Sequence, residues 1–195
     1  YLNETLPLSL ENPMELQRMI DENEMGDYKI PVWLNNIHPD EAPGIDAILE
    51  VLKQFINQDT VSYKTANVNK IPQTDKSDGT NQEVAGTIEN IDLDVNKALD
   101  NLIFLFNFSV NPDGRVYNTR ANINGFDINR DCAFQTQPES INTTAEIAKW
   151  SPVNFLDFHG FVSGFLIEPT TGPHDPNYEY DLLLDSMVEQ AHIMG

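Results

Sequence analysis

His38 and Glu41 stand three residues apart in the stretch "LNNIHPDEAPGIDAIL", at a corner between an apolar run and a helical pattern. His159, in "FLDFHGF", follows 118 positions after the glutamate. Two imidazoles and one carboxylate form a ligand set for a catalytic zinc ion, which takes three protein donors and keeps one position open for water or substrate. The H-x-x-E spacing is weak by itself because it recurs by chance. The same letters also describe a helix-capping glutamate beside an unrelated surface histidine.

A second segment carries the complementary charge. "NPDGRVYNTRANINGFDINRDC" packs Arg115, Arg120 and Arg130 into a chain otherwise poor in arginine, with Asp127 and Asn129 beside Arg130. Cations concentrated in an acidic chain, near a candidate metal, suggest an anion site. Arginine grips a carboxylate through a planar fork and stabilises charge developing on a carbonyl oxygen. Surface ion pairs with Asp113, Asp127 and Asp131 are the other reading of the same residues.

These side chains need elements to hold them. Helical spacing runs through 13–24 and, more strongly, through 44–56, where Ile45, Ile48, Leu49, Leu52, Phe55 and Ile56 fall on one face. Ile30–Ile37 reads as a strand, and 67–82 as a polar, turn-rich loop. A weaker helix is expected over 93–101. The continuously apolar 102–106 predicts a strand covered on both faces, stopped by the turn residues Asn111–Gly114. A short helix over 143–150, strands over 152–158 and 165–167, and a helix over 181–194 complete the pattern. The alternation predicts an α/β fold with a mixed, largely parallel sheet between helices. Ligands in such folds gather beyond the carboxyl ends of the strands, where both His38 and His159 are expected.

Composition bounds the rest. A chain of 195 residues suits one domain. The net charge of -20 argues against a general nucleic-acid binder and is compatible with attraction of cationic substrates or simply with solubility. No apolar run approaches the ~20 residues of a membrane span. The N-terminal "YLNETLPLSLENP" has no leader-like pattern, as would also hold for a mature or trimmed chain. Cys132 is the only cysteine, so no intrachain disulfide can form, and it is expected to be a buried core residue. His174 and His192 are expected at exposed or structural positions. Phe155, Phe158, Phe161 and Phe165 are expected to pack the core around His159, while nothing requires Tyr178 or Tyr180 at the site.

Taken in order, "NIHPDE", "NPDGR", "NTRANINGFDINRD" and "LDFHG" resemble the zinc-dependent metallocarboxypeptidase family over residues 30–180. The resemblance implies an α/β/α fold and one Zn2+ ion held by His38, Glu41 and His159. It implies that Arg120 polarises the scissile carbonyl and stabilises the oxyanion. Asn129 and Arg130 would grip the substrate's terminal carboxylate, and Asp127 would orient a zinc histidine from outside the ligand set. The implied reaction is hydrolysis of a C-terminal peptide bond by a metal-activated water, with a peptide bearing a free C-terminal carboxylate as the partner. An extracellular or cell-surface location is favoured over the cytoplasm, and the oligomeric state is not legible.

The chain also departs from that family. The family's general-base glutamate lies far beyond the distal histidine, and only thirty-six residues follow His159 here. Glu168, Glu179 and Glu189 do not stand in a matching stretch. The chain therefore reads as the central part of a longer catalytic domain, inactive without the missing base. Asp40 replaces the arginine that digestive relatives carry before the glutamate. The alternatives are an aspartoacylase-like zinc deacylase of N-acyl amino acids, which shares most of these motifs, and a catalytically silent zinc-binding recognition module. The Asn111–Gly114 run favours the peptidase branch.

Overall fold

The computed structural model describes residues 1–66, 88–160 and 190. Of the described residues, 1–59 and 94–160 form one unit, and 60–66 and 88–93 belong to a second. In the first unit, β1 (Ile30–Asn35) is flanked in parallel by β4 (Leu102–Asn107) and β5 (Asn154–Asp157). The second contains a small antiparallel sheet, β2 (Thr60–Ala66) with β3 (Ile88–Asp94), neither of them expected from sequence. The sequence's strand periodicity there is short and heavily polar, which hides an exposed ribbon.

Helices cover both faces of the parallel sheet, as expected. Residues two apart on a strand share a face. On one face, Phe104 of β4 meets Phe55 of α3 (Ala42–Asn57) edge-on, with ring centroids 4.9 Å apart. On the other, Asn35, Phe155 and Asp157 line a cavity with Ser140, Thr143, Thr144 and Ile147 of α6 (Pro138–Trp150). The apolar face expected over 44–56 is only partly realised: Ile45 and Ile48 are buried, whereas Leu49 and Ile56 are exposed. Helix α6 begins five residues before the expected 143, because Pro138 suits a first helical position, where its missing N–H leaves no bond unmade.

β4 is half-buried along its length, less than the full burial its continuously apolar run predicts. Among the described residues it lies at one edge of the sheet, with β1 at the centre. The remaining α-helices among the described residues are α1 (Thr5–Glu11), α2 (Pro13–Asp21), α4 (Val95–Asn101) and α5 (Pro112–Tyr117). No helix among the described residues is long and apolar enough to cross a membrane. The expected loop at 67–82, strand at 165–167 and helix at 181–194 lie outside the described residues, apart from Gln190 in the last of these, which is helical.

Candidate metal centre

The corner after β1 is built to project two side chains at one point. His38 follows the strand by three residues and is 2 % exposed. The Glu41 N–H donates to the His38 carbonyl at 3.1 Å, closing the turn. Glu41 sits at the N-cap position of α3, yet its carboxylate does not cap the helix. It turns instead to His38 Nδ1 (3.0 Å), His159 Nδ1 (2.9 Å) and the Gly160 N–H (2.8 Å). The helix-capping reading is thereby excluded in this geometry.

His159 follows β5 by two residues, so the parallel pairing of β1 with β5 brings it beside His38. The register is held by the Asn36 amide, which donates to the Phe158 carbonyl at 2.8 Å. Gly44 makes the close approach possible: a Cβ there would lie 2.5 Å from Asn36 Nδ2 and 2.6 Å from the Phe158 oxygen.

The arginine-bearing segment arrives on its own scaffold. Asn111 caps α5 by accepting from the Gly114 N–H at 2.9 Å, and the Arg115 guanidinium donates to the Pro39 carbonyl at 3.3 Å. The Asn111–Gly114 run and Arg115 thus brace the corner that carries His38. Asn122 then folds the chain back: its side-chain oxygen accepts from the Asn124 and Phe126 amides, and Gly125 takes the positive φ of 81° that the turn needs. That turn returns Asp127 to Arg120, with Nε donating to Oδ2 at 2.8 Å. Ile37, Val110 and Ile128, buried together, lock the three loops that carry His38, Asn111 and Asp127.

At the centre, His38 Nδ1, a Glu41 oxygen and His159 Nδ1 converge, all within 4.8 Å of one another. The two Nδ1 atoms face each other at 3.0 Å. Two imine lone pairs and a carboxylate at such separations repel unless a proton or a cation lies between them. Tetrahedral zinc bonds of ~2.0–2.1 Å would hold donors ~3.3 Å apart, close to these spacings. The far nitrogens are also engaged: His38 Nε2 faces Asp127 Oδ1 at 3.3 Å, and His159 Nε2 faces Asp157 Oδ2 at 3.1 Å. Outer carboxylates on the distal ring nitrogens free the inner ones as donors. This group can hold a metal ion.

The electrostatics agree with that arrangement. Burial alone would raise the Glu41 carboxyl, but the Gly160 amide and both imidazoles hold it below its ordinary range. Burial would raise Asp127 too, but the Arg120 guanidinium, the Asn129 amide and His38 together hold it below its ordinary range. The Asp157 hydrogen bond raises His159 above its usual value, against the opposing effect of burial.

No protein family, curated protein or solved structure matches the chain.

The expected anion-site residues separate. Arg120 reaches the centre: one terminal nitrogen lies 3.2 Å from Glu41 Oε1 and 3.1 Å from His38 Nδ1. Asn129 lines the cavity of about 230 Å3 under α6, with Asp157 and Cys132. Arg130 lines an open hollow of about 330 Å3 with Asp127, Phe126 and Phe134, and its guanidinium donates to the Asn129 carbonyl at 2.8 Å. Arg115 is the structural brace already described.

Cys132 is exposed, not a core residue. Its position after the Ile128–Arg130 turn leaves the residue at the surface, while its sulfur faces the Ile128 carbonyl at 3.8 Å. Partial burial of that sulfur, together with Asp157 and Asp131, pushes the thiol above its usual pKa, which disfavours a nucleophilic thiolate. Phe155 is also partly exposed, although it stacks on Trp33 at 6.3 Å.

Asp157 is the site residue that sequence reasoning missed. Its signal was the D-x-H spacing at a strand end, which places both side chains on one face. Phe161, Phe165, Glu168, His174, Tyr178, Glu179, Tyr180, Glu189 and His192 lie outside the described residues.

Proposed function

We propose that the chain is the metal-bearing part of a zinc-dependent metallocarboxypeptidase, which removes the C-terminal residue of a peptide. The observation that carries this reading is the meeting of His38, Glu41 and His159, drawn from two strand ends, with Arg120 alongside. The donor set of two nitrogens and a carboxylate suits zinc. A bound zinc ion would supply Lewis acidity, lowering the pKa of water and polarising a carbonyl oxygen.

The chain's own groups divide the remaining work. His38, Glu41 and His159 would hold the ion, and Asp127 would accept from the Nε2 proton of His38, leaving Nδ1 free to bind. Arg120, anchored through Nε by Asp127, points a terminal nitrogen at the centre and would donate to oxygen charge developing there. The resemblance assigns the terminal carboxylate to Asn129 and Arg130; Arg130 is exposed beside Asp127 and its guanidinium could take a carboxylate, while Asn129 lines a different hollow. The base that moves the proton from water to the leaving amine is sought outside the described residues or in further sequence.

The test uses the full-length gene product loaded with Zn2+. N-blocked dipeptides with free or amidated C-termini are supplied beside N-acetyl amino acids. Cleavage of only the free-ended peptides supports the peptidase. Cleavage of the N-acetyl amino acids alone replaces it with the deacylase. Tight Zn2+ binding with no turnover of either replaces it with a silent recognition module.

A further inference from the structure

We propose that Asp157 is the positioning residue for His159, and that an amide ladder running across three strands, Asn107 to Asn35, holds Asp157 in place. The parallel register puts Asn107, Asn35 and Asp157 in one row. Asn35 Nδ2 donates to Asp157 Oδ1 at 2.9 Å, and Asn35 Oδ1 accepts from Asn107 Nδ2 at 2.9 Å. The indole N–H of Trp33 points at that same oxygen from 3.4 Å. The other carboxylate oxygen of Asp157 faces His159 Nε2.

The row has only one self-consistent direction. An ionised carboxylate only accepts, and an indole only donates. Asn35 must therefore turn its amide nitrogen toward Asp157 and its oxygen toward Trp33 and Asn107. Reversing it would set oxygen against carboxylate and nitrogen against the indole N–H. Asn35 is 1 % exposed, so water cannot repair such a reversal. With Oδ1 of Asp157 occupied by the ladder, Oδ2 is left to accept from the imidazole N–H. His159 is thereby held as the Nε2–H tautomer, with the Nδ1 lone pair aimed at Glu41.

Position supports a role beyond stability. The preceding rows common to all three strands are Val32–Phe104–Asn154, Trp33–Leu105–Phe155 and Leu34–Phe106–Leu156, with Asn154 their one polar member. Only the row at the carboxyl end, next to His159, is polar on all three strands. An apolar row would pack there without the need to satisfy every donor and acceptor.

The ladder's effect on the tautomer stands independently of any ion; only its consequence for metal affinity rests on the metal reading above. Long-range 1H–15N spectra of the metal-free protein, taken above the imidazole's titration range, report the tautomer directly. His159 is expected as Nε2–H in the parent protein, shifting to a mixture in Asp157→Ala and Asn107→Ala. Competition with a chelating dye is expected to show Zn2+ affinity reduced ~10–100-fold in Asp157→Ala, and less in Asn107→Ala. Far-UV circular dichroism checks folding; if Asp157→Ala does not fold, the edge-strand variant Asn107→Ala and the parent spectrum decide. An Nδ1–H tautomer in the parent, or variants with unchanged tautomer and affinity, overturns the ladder proposal. A parent that binds no Zn2+ overturns the metal reading instead, and the tautomer still decides the ladder.

Discussion

Each imidazole of the candidate centre is held twice: Nδ1 faces the centre and Nε2 faces an aspartate. That duplication separates the donors from the groups that orient them, and the two classes should respond differently to substitution. His159→Ala or Glu41→Gln removes a donor and should lower Zn2+ affinity by more than the ~10–100-fold typical of an outer partner. Isothermal titration of the purified variants checks this. Arg120→Ala should leave Zn2+ affinity within a few-fold of the parent. In the full-length enzyme it should lower kcat by ~10²–10³, the usual loss for one oxyanion donor. A large fall in affinity with unchanged kcat would reassign Arg120 to structural support.

At the scale of elements, the site is set by how closely loops and helix ends approach one another. A methyl group at Gly44 would collide with Asn36 and the Phe158 backbone, pushing the start of α3, and Glu41 with it, away from β5. Gly44→Ala should therefore destabilise the protein by ~1–3 kcal/mol despite the better helix propensity of alanine, and should weaken Zn2+ binding as well. Urea melts and dye competition read the two effects. Asp131 provides a pH-dependent element. Burial would raise its carboxyl, but the Thr136 hydroxyl and the Thr136 and Gln137 amides bring it down from 3.8 to about 2. A lowered folded-state pKa means stability that is fully present above pH ~4 and is lost as pH falls toward 2. The melting temperature should drop across that window in the parent and drop less in Asp131→Asn, as differential scanning fluorimetry would show.

For the whole molecule, metal binding should be linked to folding. The ligands come from positions 118 residues apart, so an unfolded chain offers no preformed site. Zn2+ at one hundred times its Kd should add about 2.7 kcal/mol of stability, and a chelator should remove it. Thermal melts of the parent with and without Zn2+ measure this. The same addition to Glu41→Gln should have little effect, which separates the site from diffuse binding to a surface of charge -20.

The sequence by itself determined the elements whose residues repeat strongly: the apolar face of α3, the runs that become β1 and β4, and the stop at Asn111–Gly114. Local patterns specify these because each depends on a few neighbouring residues. It also singled out the chemically distinctive side chains His38, Glu41, Arg120, Asp127 and His159. The tertiary structure alone decided that Glu41 leaves its helix uncapped to face two histidines, that Asp157 backs the second of them, and that Asn129 and Arg130 point to different hollows. It also turned a predicted core cysteine outward. Those outcomes depend on the register of β1 with β4 and β5, on side-chain directions and on non-local contacts such as Gly44 with Phe158. No short stretch of chain encodes which residues another stretch will meet.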